Sequence, residues 1–363
     1  MNRNFGVYVH VPFCEARCDY CAFATWTDRA HLVVPYVEAC VTDVERRFAA
    51  DAHPPATSVF FGGGTPSLVD ADVLMRVLDA IPRTEGAEVT VECNPDSIDP
   101  AKLAAYRRHG VTRVSLGVQS MEAHVLASLG RTHDPDNVRR AVDAVRAAGF
   151  TSFNLDLIYG AAGESMDDWR RTLDAALALD PPHISAYALT IEAGTPLDQR
   201  IRAGETPPPL DDDQAAKYLV ADAAFSRAGL GWYEVSNWAR PGHECRHNLL
   251  YWRGGSYLGV GASAHGHTAG RRWWNVRTPE RYVAAVREGA SPEAGRELLD
   301  GAAKAEESLM LGVRTRDGVE PPHQASAARL VDEGLLERRG AQVVLTRRGR
   351  LLASSVTLRL LTP

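Results

Sequence analysis

The sequence predicts an α/β protein whose core is an open or partial barrel of six strand–helix units, followed by an aromatic-rich region and a small C-terminal domain. Over roughly the first 200 residues, short apolar runs alternate with amphipathic stretches of helical length, which is typical of parallel βα units with right-handed crossovers. The 363 residues are 45% hydrophobic and 24% charged, with a net charge of −6. This ordinary globular composition excludes a disordered tail, a coiled coil and a basic nucleic-acid arm.

Six short runs rich in β-branched or apolar residues are the predicted strands, and they cover residues 7–11, 58–61, 88–92, 113–117, 152–158 and 183–189. The predicted helices between them cover residues 36–49, 71–81, 100–109, 135–148 and 166–179. Periodicity alone does not separate a barrel from a doubly wound sheet, so the second arrangement stays open at this point.

The βα rhythm ends at residues 204–213, where three prolines and three aspartates are incompatible with a continuing helix or a central strand. A further helix is expected over 213–228, and residues 231–275 are rich in Trp, Gly and His with little periodicity. The tail shows a helix, a turn, a hairpin around Gly340 and a last helix, a pattern typical of a winged-helix module. We therefore expect a core over 1–228, a connecting region over 229–300 and a winged-helix-like domain over 301–363.

The arginine-rich tail suggests DNA binding, but the acidity of the whole chain and the lack of a clear recognition helix argue against a nucleic-acid partner. No secretory leader and no apolar run of membrane-spanning length is evident, which predicts a cytoplasmic protein. Peripheral membrane association and a homodimer stay open.

The six cysteines are unevenly placed, and tight clustering of three of them indicates metal ligation in a reducing compartment rather than a disulfide framework. The clustered three are Cys14, Cys18 and Cys21, and the scattered three are Cys40, Cys93 and Cys245. The C-x3-C-x2-C spacing directly follows the first predicted strand. Three thiolates on one loop can ligate three irons of a [4Fe-4S] cluster and leave the fourth iron open. A zinc site with His31 as a fourth ligand is the alternative.

Polar and glycine residues follow several of the other predicted strands. A glycine run, residues 62–64, ends the second strand, where barrel enzymes build their sites, although a single glycine-rich turn is a weak signal. Glu92, Gln119 and Asp156 lie within or at the ends of apolar strands, where an unpaired polar group is costly, and Arg131 follows in a loop. Acidic groups and an arginine suit a zwitterionic, hydroxyl-rich ligand.

The three-cysteine motif with Tyr20 before its last cysteine, together with the flanking sequence YVHVPFC, resembles the radical S-adenosylmethionine (radical SAM) superfamily. Within it, the chain resembles the branch that contains oxygen-independent coproporphyrinogen III oxidase. The resemblance implies a partial (β/α)6 barrel, a [4Fe-4S] cluster on the three cysteines, and S-adenosyl-L-methionine (SAM). The SAM contacts that it implies are Tyr8, Tyr20, Gly63, Gly64, Thr65, Glu92, Gln119, Arg131 and Asp156.

Two features depart from the oxidases. Phe23 stands where the oxidases carry a further cysteine, and only thirteen residues precede the first cysteine, whereas the oxidases have a longer N-terminal extension. Both features resemble the related HemW family of heme chaperones, as does an H-N-x-x-Y-W motif that contains His247 and Tyr251. At helical spacing these two side chains share one face, and an imidazole beside aromatic rings suits heme. The resemblance implies heme and acceptor hemoproteins as partners; decarboxylation of coproporphyrinogen III is the alternative function.

Several other potential ligands lie near these motifs. His247 itself has a second interpretation, because a single histidine beside aromatic rings is more often packed and hydrogen-bonded. His10 lies beside the cysteine loop and is either a ligand contact or a strand histidine held by backbone. A structural role is expected for the remaining candidates, which are His243, Cys245, His265 and His267.

Overall fold

Parallel strands in sequential order form the centre of the molecule. The structure, a computed structural model, describes residues 4–51, 53–131 and 133–363. Its strands are β1 Phe5–Val11, β2 Ala56–Gly63, β3 Arg83–Cys93, β4 Arg113–Gln119, β5 Ser152–Tyr159, β6 His183–Ala188, β7 Gly231–Glu234, β8 Asn237–Ala239, β9 Ser256–Val260, β10 His265–Thr268, β11 Arg271–Asn275, β12 Glu293–Leu298, β13 Leu336–Arg339 and β14 Gln342–Leu345.

The α-helices connect these strands and form the C-terminal part of the chain. They are α1 Val33–Ala50, α2 Ala71–Ala80, α3 Pro100–Arg108, α4 Ala123–Ser128, α5 Pro135–Ala147, α6 Met166–Ala178, α7 Pro196–Arg202, α8 Asp211–Arg227, α9 Arg246–Trp252, α10 Pro279–Arg287, α11 Gly301–Gly312, α12 Gln324–Asp332, α13 Arg347–Leu351 and α14 Ala353–Leu361. In the described part of the chain, we find no helix that combines the length and the apolarity needed to cross a membrane.

Strands β1 to β6 pair with their sequence neighbours and are all parallel. A doubly wound sheet would reverse its strand order at a switch point, and these six strands do not. The sheet also stays open, because β9 extends it beyond β1 and β8 extends it beyond β6. The predicted partial barrel of six βα units is therefore confirmed.

The two faces of the barrel strands differ in chemistry. Side chains alternate between the faces, and aliphatic residues such as Val9, Val91 and Leu155 belong to the main apolar core, where the helices cover the sheet. Buried polar residues occupy the alternate positions and face the interior, and they include Ser58, Glu88, Ser115, Asn154 and Ser185. Polar side chains thus line the interior of the barrel, and apolar side chains form the layer between the sheet and the helices.

Local sequence signals set the starts of the helices after the strands. Helices α2, α3, α5 and α6 each begin directly after a residue whose side chain accepts a backbone N–H of the first turn: Asp70, Asp99, Asp134 and Ser165. Because such caps satisfy donors that have no partner within the helix, they fix where each helix leaves the loop above its strand. The cap of α6 is a capping box formed with Asp168.

The connecting region that showed little periodicity contributes six strands to the same sheet. Strands β7 and β8 lie beyond β6, while β9 to β12 lie beyond β1. The sequence analysis missed these strands because they are short and interrupted by glycines. Helix α9, which contains the H-N-x-x-Y-W motif, lies between β8 and β9 in the sequence. The boundary at residue 228 stays a prediction, and it does not coincide with a break in the sheet.

The C-terminal helices enclose a second apolar cluster that includes Leu330, Val343 and Val356. The predicted hairpin is present as β13 and β14, with Gly340 at a φ of 65° in its turn. The winged-helix assignment of this region stays a prediction.

Candidate functional site

The cysteine loop leaves the carboxyl end of β1 and is held by backbone hydrogen bonds at several points. The Cys14 N–H donates to the Trp26 carbonyl at 3.1 Å, and the Trp26 N–H donates to the Pro12 carbonyl at 2.8 Å. The Asp19 N–H donates to the Leu129 carbonyl at 3.2 Å. These bonds pin both arms and the middle of the loop, so the three thiols are presented by a defined backbone.

Two side chains reach the sulfurs, one from the turn after β2 and one from the loop after α4. The Thr65 hydroxyl donates to Cys14 Sγ at 3.7 Å, and Arg131 Nη1 donates to Cys18 Sγ at 3.6 Å. The hydrogen bond from Thr65 favours the thiolate of Cys14, which is the form that binds metal. Burial nevertheless raises the pKa of Cys14 and Cys21, so a bound metal must displace their protons near pH 7.

The three thiols of the cysteine loop do not form a closely set group of ligand atoms in the described structure. Among the described residues, Cys14, Cys18 and Cys21 are not a group of ligand atoms within 4.8 Å of one another. A tetrahedral zinc ion would draw its sulfurs closer than this, because each Zn–S bond is about 2.3 Å long. His31 has an exposed side chain and belongs to no such group either. Within the described residues, no fourth ligand for zinc lies in a closely set group with these cysteines.

The glycine run lies against this loop at the carboxyl end of β2. A Cβ on Gly64 would lie 2.6 Å from the Phe13 carbonyl oxygen, and one on Gly63 would lie 2.4 Å from the His10 ring. Gly63 also has a φ of 110°, which side-chain-bearing residues rarely adopt. Glycine is therefore required at these two positions because β1 and the cysteine loop approach them closely. The sequence analysis had associated the same glycines with a bound ligand.

Glu92 and its neighbours form an acidic wall inside the carboxyl end of the barrel. Glu92 Oε2 accepts the Gly63 N–H at 3.1 Å. Burial, and then the nearby charge of Asp156, raise the pKa of Glu92 to about 8. Burial and the Glu92 charge also raise the pKa of Tyr8, whose hydroxyl lies 3.1 Å from His10 Nδ1. The structure thus brings Tyr8, Gly63, Glu92 and Asp156 together.

Arg131 and Gln119 lie at the same edge of the sheet, with Gln119 at the end of β4, the strand between β3 and β5. Arg131 Nη2 donates to the Gly117 carbonyl at 2.7 Å, so one guanidinium spans the end of β4 and the cysteine loop. Gln119 has a φ of 63°, and the pairing of β4 with β5 shifts between Gly117 and Gln119. Tyr20 packs on the small apolar cluster beneath α4. Acidic groups and a cation at one edge of the sheet fit a zwitterionic ligand.

Residues that the sequence analysis missed hold these groups in place. Ser115 donates to Asp156 Oδ2 at 2.7 Å, and the Asn154 amide donates to Asp156 Oδ1 at 2.8 Å. Arg200 of α7 donates to Asp19 at 2.8 Å and anchors the cysteine loop. The period-two spacing of Asn154 and Asp156 was a usable signal for the first pair. No sequence signal of this kind indicated the contact between Asp19 and Arg200.

The H-N-x-x-Y-W helix closes the other end of the barrel interior. His247 is buried, with Nδ1 2.9 Å from the Ser58 hydroxyl and Nε2 2.8 Å from the Tyr251 hydroxyl. The expected shared face of His247 and Tyr251 is thus observed. The imidazole also stacks on Phe60, with ring centroids 5.4 Å apart. Both nitrogens are engaged, so this arrangement does not fit direct ligation of heme iron by His247.

The remaining cysteines lie outside the cysteine loop, in α1, at the end of β3 and directly before α9. Cys40, Cys93 and Cys245 are buried, and burial raises the pKa of each thiol. Cys245 directly precedes α9, where its thiol lies 3.6 Å from Glu88.

Comparison with known proteins places this site in a family. A profile described as the radical SAM superfamily matches residues 8–176. Proteins named heme chaperone HemW are similar over nearly the whole chain: one from Mycobacterium tuberculosis is 45% identical over 99% of this chain and 95% of its own, and one from Bacillus subtilis is 31% identical over 97% of each. The solved structure of Escherichia coli coproporphyrinogen III oxidase (HemN) matches with a TM-score of 0.85 and 22% identity, covering 99% of this chain and 90% of its own. The chain therefore belongs to the radical SAM superfamily and, within it, to the family whose curated members are named heme chaperone HemW.

Proposed function

We propose that this protein is a heme chaperone that binds heme and transfers it to acceptor hemoproteins. The observation that carries the proposal is the 45% identity, over 99% of the chain, to a protein named a heme chaperone. Membership of the radical SAM superfamily implies a [4Fe-4S] cluster and SAM. The site residues below are assigned as part of this proposal.

Cys14, Cys18 and Cys21 would hold the cluster on the loop after β1, while Thr65 and Arg131 donate hydrogen bonds to the sulfurs of Cys14 and Cys18. When bound, a reduced cluster supplies one electron to SAM.

The opening beside the cluster would hold SAM between its acidic wall and Arg131. Glu92 and Asp156 are oriented by the Gly63 N–H, Ser115 and Asn154, and can accept hydrogen bonds from ammonium and hydroxyl groups. Arg131 would face a carboxylate. Tyr8, Tyr20, Gly64, Thr65 and Gln119 complete the proposed set.

Oxygen-independent coproporphyrinogen III oxidase activity is the second candidate, because the fold is shared with that enzyme. At 22% identity the likeness shows the fold alone. Phe23, which stands where the resemblance places a further cysteine of the oxidases, is 63% exposed beside the cysteine loop. This substitution favours the chaperone over the oxidase.

The test is an anaerobic comparison of the two activities in one cluster-reconstituted preparation. We expect ferric heme to give a shifted Soret band, and heme to pass to an apo-globin probe in a gel-filtration assay. Coproporphyrinogen III with SAM and dithionite should yield no protoporphyrinogen. An unchanged Soret band would contradict the chaperone proposal, and product together with 5'-deoxyadenosine would establish the oxidase.

A further inference from the structure

A buried histidine outside the proposed SAM set lies beside the end of β4. We propose that His133, in the loop between α4 and α5, is a positioning residue whose imidazole N–H holds the turn at Gln119 and so places the Gln119 amide beside Arg131. This inference rests on the SAM site of the proposed function and deepens it, because it names a residue that acts on SAM through Gln119 rather than by contact.

The end of β4 is a tight turn centred on Gln119. The Ser120 N–H donates to the Val118 carbonyl at 2.8 Å, and Gln119 between them has a φ of 63°. A hydrogen bond from residue i+2 to residue i, with a positive φ at the central residue, is the rare and strained form of the γ-turn. Such a conformation persists only where the surrounding structure holds it.

His133 supplies a contact of this kind. Its Nε2 lies 2.9 Å from the Val118 carbonyl oxygen, the same oxygen that accepts the Ser120 N–H. Because a carbonyl only accepts, the imidazole proton is on Nε2. Burial, and then the positive charge of Arg131, lower the pKa of His133 to about 4, so the ring is neutral near pH 7 and has one N–H to donate.

The bond from His133 opposes relaxation of the turn directly. The Val118 carbonyl belongs to the planar peptide that joins Val118 to Gln119, so a change of the Gln119 φ to a negative value rotates this carbonyl. The rotation would break the hydrogen bond to His133. In the same loop, Arg131 Nη2 donates to the Gly117 carbonyl at 2.7 Å, so two consecutive carbonyls at the end of β4 are held by one loop.

The turn determines where the Gln119 amide lies. A Cβ on Gly117 would lie 3.0 Å from Gln119 Nε2 and 3.3 Å from Arg131 Nη2, so the amide and the guanidinium lie side by side over Gly117. Gly117 follows Ser115 by two positions in β4, and residues two apart in a strand share a face. Because Ser115 donates to Asp156, this is the face that carries the acidic groups of the proposed site.

The experiment measures SAM affinity by anaerobic isothermal titration of the cluster-reconstituted full chain and its variants. His133→Leu removes the N–H donor and keeps a side chain of similar size. We expect it to bind SAM roughly three- to tenfold more weakly, the factor that corresponds to one lost hydrogen bond. His133→Gln keeps an N–H donor and should recover most of the affinity.

A double-mutant cycle separates positioning from general destabilisation. In a Gln119→Ala background the amide that His133 positions is absent, so His133→Leu should lower the affinity there by less than about twofold. His267→Ala is the matched control, because it removes another imidazole-to-carbonyl hydrogen bond, from Nδ1 to Gly255 at 3.0 Å, on β10. It should bind SAM as tightly as the unmodified chain. Circular dichroism checks that each variant is folded.

The outcomes separate this inference from the site on which it depends. If the unmodified chain binds no SAM, the proposed SAM site fails and this inference fails with it. If the unmodified chain binds SAM and His133→Leu binds it equally tightly, the positioning role is wrong and the SAM site stands. The same conclusion follows if folded His133→Gln loses as much affinity as His133→Leu, or if the loss is as large in the Gln119→Ala background.

Discussion

The two ends of the barrel interior are both lined by polar side chains, but they differ in what those side chains bind. At the floor, beside α9, polar groups are satisfied by one another: His247 bonds to Ser58 and Tyr251, and Glu88 accepts the backbone N–H groups of Arg246 and His247 at 3.1 and 3.0 Å. At the carboxyl edge, Asp156 is held by Ser115 and Asn154, but within the described residues Glu92 accepts a single hydrogen bond, from the Gly63 N–H.

This difference shows that burial of a polar residue is not sufficient to identify a binding site. Saturated groups, as at the floor, stabilise the fold and hold the motif helix in place. An incompletely satisfied group, such as Glu92 at the carboxyl edge, keeps acceptor capacity that a ligand can use. Variants that affect one end of the barrel interior and leave the other unchanged test this difference.

The largest effect is expected at the cysteine loop. Cys14→Ser, Cys18→Ser or Cys21→Ser each removes one thiolate from the proposed cluster site, so anaerobic preparations should lose the brown iron–sulfur absorbance and the bound iron. Cys40→Ser is the control, because Cys40 is buried in α1 away from the loop. Loss of the chromophore in Cys40→Ser with retention in Cys18→Ser would contradict the site.

The next effect concerns the floor and should be one of stability. Glu88→Ala leaves two backbone donors at the start of α9 without their acceptor, which should lower the free energy of unfolding by about 2–4 kcal/mol. Urea denaturation followed by circular dichroism measures this loss. Glu45→Ala, at an exposed position of α1, should change stability by less than about 0.5 kcal/mol. An equally small effect at Glu88 would show that the floor does not depend on this carboxylate.

A smaller effect is expected in the pH dependence of stability. The pKa of Glu92 is raised from 4.5 to about 8, so between these values the folded state binds a proton that the unfolded state has released. Stability due to this group therefore falls as pH rises from about 4.5 to 8 and then levels off. Glu92→Gln should flatten this slope in urea unfolding measured from pH 5 to 8. A slope identical to that of the unmodified chain would contradict the raised pKa.

The sequence predicted the carboxyl edge better than the floor, and the reason is physical. In a parallel sheet, the carboxyl ends of the strands meet at one edge, so Glu92 near the end of β3 and Asp156 in the second half of β5 could be placed near the cysteine loop from strand prediction alone. The Ser58–His247 bond joins residues 189 positions apart and depends on how α9 enters the barrel. A local motif carries no information about that packing.

The connecting region illustrates the same limit. Strands β10 and β11 place His265 beside Trp274, but their sequence lacks the alternation that marks a half-buried strand, since Gly266 lies between two histidines. The hairpin partner, rather than the strand itself, determines the pairing. The sequence analysis therefore assigned His265 a structural role, and only the ladder register shows its neighbour.

The smallest expected effect concerns backbone strain at Gln119, at the carboxyl edge of the barrel. Gln119 adopts a φ of 63°, a conformation that costs a side-chain-bearing residue about 1–2 kcal/mol. Gln119→Gly removes this strain but adds unfolded-state entropy, so a net stabilisation of roughly 0.5–1 kcal/mol is expected. Gln119→Ala keeps the strain and removes only the amide. Both variants should bind SAM more weakly by isothermal titration, while only the glycine variant should be stabilised; equal stability of the two would show that the backbone at Gln119 is unstrained.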